Sequence, residues 1–155
     1  MEGAARPATA EDLPRLEALA AQAVSELAAQ QRGGEVFTTR EARSGPLADV
    51  LADDGALVVA GTIDDSVIGF GTGRVEQRRD GAGHGVIEDL YVEPEARGVA
   101  VGEAMMGLML EWFRGRGCAG VDAYALPGMR ETKNFFETFG FTARLLVVHH
   151  RLRDA

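Results

Sequence analysis

The chain has 155 residues but only one cysteine, one lysine, one tryptophan and two tyrosines. A lone cysteine, Cys118, excludes an intrachain disulfide and any multi-cysteine metal site, so no metal is expected. Cys118 reads instead as a small buried hydrophobe at the start of a strand. Lys133 is the only lysine, so arginine carries nearly all the positive charge. Basic residues are also outnumbered, 16 against 24 acidic ones, for a net charge of −8. Such a surface repels nucleic acid and anionic membranes, which sets both aside as partners, and it attracts cationic ligands such as amines. Long hydrophobic runs are missing as well. The most apolar helical stretch, Val101 to Phe113, is too short and too interrupted to span a bilayer. The opening MEGAARPATAED has no apolar run of the secretory kind, so the expected location is cytoplasmic. Internal repeats and low-complexity linkers are absent. What remains is 46% hydrophobic and 26% charged, the balance of a soluble globular protein. The length suits one domain over residues 1–155.

The most informative stretch is Val86 to Arg114, VIEDLYVEPEARGVAVGEAMMGLMLEWFR. Val86, Ile87, Leu90, Tyr91 and Val92 suit a pleated, half-buried strand. Pro94, which has no N–H for a sheet ladder, ends it, and Glu95 and Ala96 carry a turn. From about Val99 the period changes: Val101, Met105, Leu108, Met109 and Trp112 recur at helical spacing. Arg97, Gly98, Ala100 and Gly102 therefore sit where a helix begins. The first N–H groups of a helix have no internal partner, and its dipole places partial positive charge there. That corner is an anion site in principle. The two glycines would let a ligand approach the backbone, and Arg97 could add charge-assisted hydrogen bonds. A corner capped by water or side chains is the plain alternative.

Around this centre the other elements follow from pattern. Gly3–Arg6 reads as a short first strand. Thr9 with Asp12 resembles a capping box, and Leu13, Leu16, Leu19, Ala20, Ala23, Val24 and Leu27 form a helical stripe that ends at Gly33-Gly34. ALVVAGT (56–62) and SVIGFGTGRVE (66–76) read as strands joined by a tight turn at Asp64-Asp65, and with the Val86 strand they make an antiparallel meander. Gly69, Gly71 and Gly73 alternate in one of these strands, which asks either for a closely packed helix or for ligand access. GVDAYAL (120–126) is a further strand, Glu131–Phe139 a helix closed by Gly140, and FTARLLVVHHR (141–151) a last strand. Its run of Leu145, Leu146, Val147 and Val148 suits burial on both faces or pairing across an interface.

Two of these segments resemble signatures of the GNAT superfamily of acyl-CoA-dependent N-acetyltransferases. Leu90-Tyr91-Val92-Glu93-Pro94 followed by Arg97-Gly98-Val99-Ala100-Val101-Gly102 is similar to the family's strand ending Leu-x-Val-x-Pro and its Arg/Gln-x-x-Gly-x-Gly/Ala helix opening, with Ala100 at the place of the first motif glycine. Phe135-Phe136-Glu137-Thr138-Phe139-Gly140-Phe141 resembles the terminal Phe-Tyr-Glu-x-x-Gly-Phe, with Phe136 at the tyrosine place. The element order fits over nearly the whole chain. The resemblance implies an α/β (α+β) GNAT fold: a mixed, mostly antiparallel sheet of six to seven strands flanked by about four helices.

It also implies a function, the transfer of an acetyl group from acetyl-CoA to a primary amine of a small molecule or protein. On that reading Glu88 is the general base, being a carboxylate on the central strand just before Leu90-Tyr91-Val92. Asp89, by strand alternation, points to the other face unless a bulge intervenes. His84 is a second candidate base. Backbone groups at Leu90, Tyr91 and Val92 would meet the thioester and the pantetheine arm. Arg97, Gly98, Val99, Ala100, Val101, Gly102 and Glu103 would meet the pyrophosphate, with the Glu103 side chain turned outward. Lys133 and Asn134 are further CoA contacts. Phe136 cannot donate a proton, so Tyr124, or else Tyr91, stands in as the acid. Glu35, Phe37, Arg40, Glu41 and Arg43 are candidates for the acceptor side. Dimers are common in the family. The competing expectation, from Phe136 and Ala100, is a catalytically weak acyl-CoA-binding module with a sensing or regulatory role.

Overall fold

The structure is a computed structural model that describes residues 3–98 and 100–153. Among these residues the chain forms five strands and five α-helices. The contacts divide it into two compact units, residues 1–124 and 125–155.

The first unit is built on one sheet. Strands β1 (Gly3–Pro7), β2 (Ala56–Ile63), β3 (Ser66–Gln77) and β4 (Gly83–Val92) form an antiparallel meander, and β5 (Cys118–Asp122) lies parallel to β4 at its edge. The β2–β3 turn is the expected tight one. Asp64 and Asp65 both have positive φ, 49° and 67°, as a two-residue hairpin of this hand requires.

Helices cover both faces of the sheet. On one side lie α1 (Leu13–Ala28), α2 (Gly34–Arg40) and α3 (Leu47–Ala52). Asp12 caps the entry to α1 by accepting the Thr9 backbone N–H at 2.8 Å, and it pairs with Arg6 at 2.7 Å. Those contacts, with the Arg6 hydrogen bond first, hold the Asp12 carboxyl at about 2. Leu16, Leu19, Ala20 and Ala23 of α1, Leu47 of α3, and Val58, Phe70 and Tyr91 of the sheet make one buried cluster. Val24, expected in the stripe, is half exposed instead.

The opposite face carries α4 (Val101–Gly115), whose Val101, Met105, Met106, Met109 and Phe113 are buried. This helix accounts for the alternating glycines. A Cβ at Gly71 would stand 2.9 Å from Met109 Sδ, and one at Gly73 would stand 2.7 Å from Phe113 Cζ. The glycine rows therefore serve close helix packing, and nothing is left over for a ligand on that face.

The start of α4 is unusual. Gly98 has φ 93°, as glycine tolerates, but Ala100 at the N-cap also has φ 66° and ψ 12°. A Cβ in that region costs on the order of 1–2 kcal/mol. Ala100→Gly is therefore expected to raise unfolding stability by about 0.5–1 kcal/mol, after allowing for the extra chain entropy of glycine. Urea denaturation measures it, and an unchanged or lower midpoint would contradict the strained backbone.

The second unit holds α5 (Arg130–Thr138), one residue off the expected helix. Phe136 is buried in it, against Phe135 at 6.0 Å and Phe141 at 5.3 Å between ring centres. The expected last strand is not formed. Residues 141–150 adopt no regular structure, and Leu145, Leu146, Val147 and Val148 are 72–84% exposed. Local β propensity is present there, but a strand exists only where its backbone groups find a ladder. The sheet accordingly has five strands rather than six or seven, and the helices number five rather than four. No helix among the described residues is long and apolar enough to cross a membrane.

Candidate active site

The site begins with a register shift. Thr72 of β3 faces Asp89 of β4, but Gly73 faces Ile87, so Glu88 is an extra residue on β4. A bulge of this kind turns two successive side chains toward the same face. Glu88 meets Arg74 at 3.2 Å, and Asp89 meets Arg43 at 2.8 Å and accepts the Thr72 hydroxyl. Thr72 and Arg74 are two apart on β3 and so share a face. Both carboxylates therefore point to the side of α1, α2 and α3. The alternation that would have turned Asp89 away is broken at this point.

Two ion systems follow. Asp89, Arg43 and Thr72 are largely buried and tie the chain after α2 to the sheet. Arg74 is shared between Glu76 and Glu88. Burial works against its charge, while Glu76 and Glu88 more than restore it and raise its pKa. Next along β4 is His84. It lies on the strand, opposite Glu76, and its Nε2 is 2.7 Å from Asp122 of β5.

β4 and β5 then part company. Their pairing runs from Gly83/Cys118 to Val86/Asp122 and no further. From Ile87 to Val92, β4 has β3 on one side and no β5 partner on the other. Tyr124 stands just past the end of β5, on the same face as Asp122 by alternation. Its ring meets Phe37 of α2 edge-on at 5.8 Å. Burial is the main reason the Tyr124 phenol is raised above its ordinary value. Arg74 opposes this, and Asp122, Glu76 and Glu88 add to it. The phenol stays protonated at neutral pH and is able to donate. Glu88, Arg74, Glu76, Tyr124 and Phe37 thus belong to one polar mouth where the two strands diverge.

Sequence and structure similarity bear on what this mouth is. The model of the "Acetyltransferase (GNAT) family" matches residues 21–141. The chain belongs to the GNAT acetyltransferase family. No curated protein matches the sequence. Solved structures of GNAT proteins share its fold. AAC(6')-Iy, solved with the bisubstrate analogue CoA-S-monomethyl-acetylneamine, has a TM-score of 0.74 at 16% identity, covering 99% of this chain and 100% of that one. An acetyltransferase from Trypanosoma brucei gives 0.69 at 22% identity, covering 97% and 100%. The ribosomal-protein-alanine N-acetyltransferase from Brucella melitensis biovar Abortus gives 0.69 at 14% identity, covering 98% and 100%.

The remaining expected residues of this GNAT chain fall as follows. Leu90, Tyr91 and Val92 lie on the stretch of β4 that β5 leaves unpaired. The Tyr91 hydroxyl is turned to α1, 3.2 Å from Glu26, so Tyr91 does not compete with Tyr124 as a proton donor in the mouth. Arg97 is committed elsewhere than expected. Its guanidinium donates to the Val92 carbonyl at 2.8 Å and to Glu26 at 2.9 Å, and it lies over the Tyr91 ring. A shallow groove of about 700 Å³ runs beside it, lined in part by Glu26, Tyr91, Glu93 and Glu95.

Gly98, Ala100 and Gly102 stand at the opening of α4. Val101 is packed into the core beside Gly61, and Glu103 is exposed as expected. Val99 lies outside the described residues. Lys133 and Asn134 are exposed on α5, where Lys133 pairs with Glu137 at 3.2 Å. Of the acceptor-side candidates, Phe37 and Arg43 reach the site directly, while Arg40 and Glu41 pair with each other at 3.1 Å. Sequence reasoning passed over Arg74. The available signal was its place two residues from Thr72 and from Glu76 on a strand otherwise built of glycine and apolar residues.

Proposed function

We propose that the chain, as one acetyltransferase domain over residues 1–155, transfers an acetyl group from acetyl-CoA to a primary amine, with Glu88 as general base and Tyr124 as general acid. The observation that carries the reading is the divergence of β4 from β5 directly beside a carboxylate and a protonated phenol. Family membership narrows the chemistry to acyl transfer.

The residues present fit a CoA substrate in two respects. The unpaired edge of β4 at Leu90, Tyr91 and Val92 can pair with an extended amide-bearing arm, as an added strand does. The N-terminus of α4, preceded by Gly98, capped by Ala100 and with Gly102 and Glu103 in its first turn, offers N–H groups to a pyrophosphate.

The proton balance is simple. An ammonium acceptor gives one proton to Glu88. The freed amine nitrogen forms a bond to the thioester carbonyl carbon, a backbone N–H near Leu90 stabilises the oxyanion, and the C–S bond breaks. The thiolate takes the Tyr124 proton, and the proton lost by the new amide nitrogen restores the phenol. One proton, held on Glu88, leaves to solvent.

Tyr124→Phe tests the acid. It keeps the edge contact with Phe37 but removes the donor, and it is expected to lower kcat by roughly 10²-fold with KM for acetyl-CoA little changed. An unchanged kcat in a thiol-release assay would assign the proton to water. Arg97 supplies a second test. Glu26→Ala removes the acceptor that holds the guanidinium away from the groove, which leaves it available to a phosphate. Affinity for CoA is expected to rise several-fold by calorimetry. Unchanged affinity would place the phosphates away from Arg97.

A further inference from the structure

β5 is held to β4 by a short ladder. Four residue pairs join them, from Gly83/Cys118 to Val86/Asp122, with an irregularity after Gly83. Each residue of β5 is at least partly exposed. Tyr124 lies two residues beyond the last pair, so the ladder does not reach it. Its ring rests against Phe37 on one side.

What holds the chain just before Tyr124 is a side-chain bond. His84 of β4 reaches across to Asp122, the last residue of β5, with 2.7 Å between Nε2 and Oδ2. Both side chains are largely buried, 17% and 22% exposed. Where water is scarce such a bond is worth more than a surface pair, and breaking it leaves a carboxylate short of a donor. An ionised carboxylate only accepts, so Nε2 carries the proton. In the neutral ring Nδ1 is then the bare nitrogen, and it is buried with no hydrogen-bond partner among the described residues. The ring is thus engaged through Nε2, as a donor to Asp122. Glu88 lies four residues further along β4. The bond therefore ties the strand of the base to the strand that leads to the acid.

We infer that His84 is a positioning residue for Tyr124: its bond to Asp122 fixes β5 at the last pair before the strands part, and so holds the phenol in the mouth. Its effect on turnover rests on the assignment of Tyr124 as the acid.

The test compares two side chains of similar size. His84→Leu removes the donor, and His84→Gln keeps one near the place of Nε2. The leucine variant is expected to lose about tenfold in kcat with KM for acetyl-CoA little changed, because a loosened donor costs the step and not the binding. The glutamine variant should stay within about threefold of wild type. His84→Leu added to Tyr124→Phe should cost nothing further, since the phenol through which it acts is gone. Nuclear magnetic resonance reads the placement without turnover. An NOE between the Tyr124 and Phe37 rings is expected in the wild type and in His84→Gln, and is expected to be lost in His84→Leu. His84→Ala, which adds no bulk, should lose it too, with the fold of each variant checked by circular dichroism. An NOE that persists in the leucine and alanine variants, a glutamine variant as slow as the leucine one, or an additive loss in the double variant would each overturn the inference. If the wild-type chain releases no thiol with any amine, or Tyr124→Phe keeps its kcat, the reading of the site fails instead, and the NOE alone decides whether His84 places Tyr124.

Discussion

Glu88→Gln is expected to reduce kcat by about 10²–10⁴-fold while leaving the fold intact. Glutamine has the shape of glutamate and still offers Arg74 an acceptor oxygen, so the 3.2 Å contact has a replacement. It cannot take up a proton. The loss should therefore appear in kcat and in kcat/KM for the amine alike, with binding of acetyl-CoA nearly unchanged. A control separates this from a general loss of charge. Asp89, the neighbouring carboxylate, is held by Arg43 and Thr72. It anchors the chain after α2, so Asp89→Asn should act on stability more than on the catalytic step. If Glu88→Gln keeps its turnover within about threefold, proton removal belongs to another group, and His84 beside Asp122 becomes the next to test.

The largest stability effect should come from the glycine rows. A Cβ at Gly85 would lie 2.5 Å and 2.7 Å from Phe113 Cδ1 and Cε1. On the neighbouring strand, a Cβ at Gly73 would meet the same ring at 2.7 Å, so the ring occupies the space that both glycines leave open. Phe113 is 1% exposed and has little room to withdraw. Gly85→Ala is expected to cost about 3 kcal/mol, the upper part of the usual range for overpacking a close-packed core. That is a large fraction of the roughly 5–15 kcal/mol that holds an ordinary domain together. Gly85→Ala combined with Phe113→Leu should be less destabilised than the sum of the two single variants, because the smaller side chain makes room for the methyl group. Additive effects in chemical denaturation would mean that ring and glycine do not press on each other.

How much of this was legible in the sequence differs from element to element. The meander, the Asp64-Asp65 turn and α4 follow from patterns confined to a few neighbouring residues, and periodicity finds those. The buried stripe of α4 includes Met106 and Phe113 with Leu108 and Trp112 only half buried, a rotation that depends on where the sheet lies. The orientation of Asp89 turned on the bulge that strand alternation left open, and a bulge is a property of two strands at once. In hindsight, two acidic residues in succession inside an apolar strand, VIEDLYV, are the local trace of it. The partners of Arg97 could not be read at all. Glu26 lies 71 positions away, and only the fold brings its carboxylate to the guanidinium. The last strand failed for a related reason: Leu145–Val148 have the composition of a strand, but strand formation depends on a partner that composition does not name.

The most direct test of the account is acetyl-CoA titration by calorimetry, followed in the same sample by measurement of free thiol against a panel of primary amines. The account predicts saturable binding and thiol release with at least one amine class, lost in Glu88→Gln. Binding without release across the panel would contradict the assigned chemistry and leave an acyl-CoA-binding module. No binding would contradict the placement of CoA at the β4 edge and the N-terminus of α4.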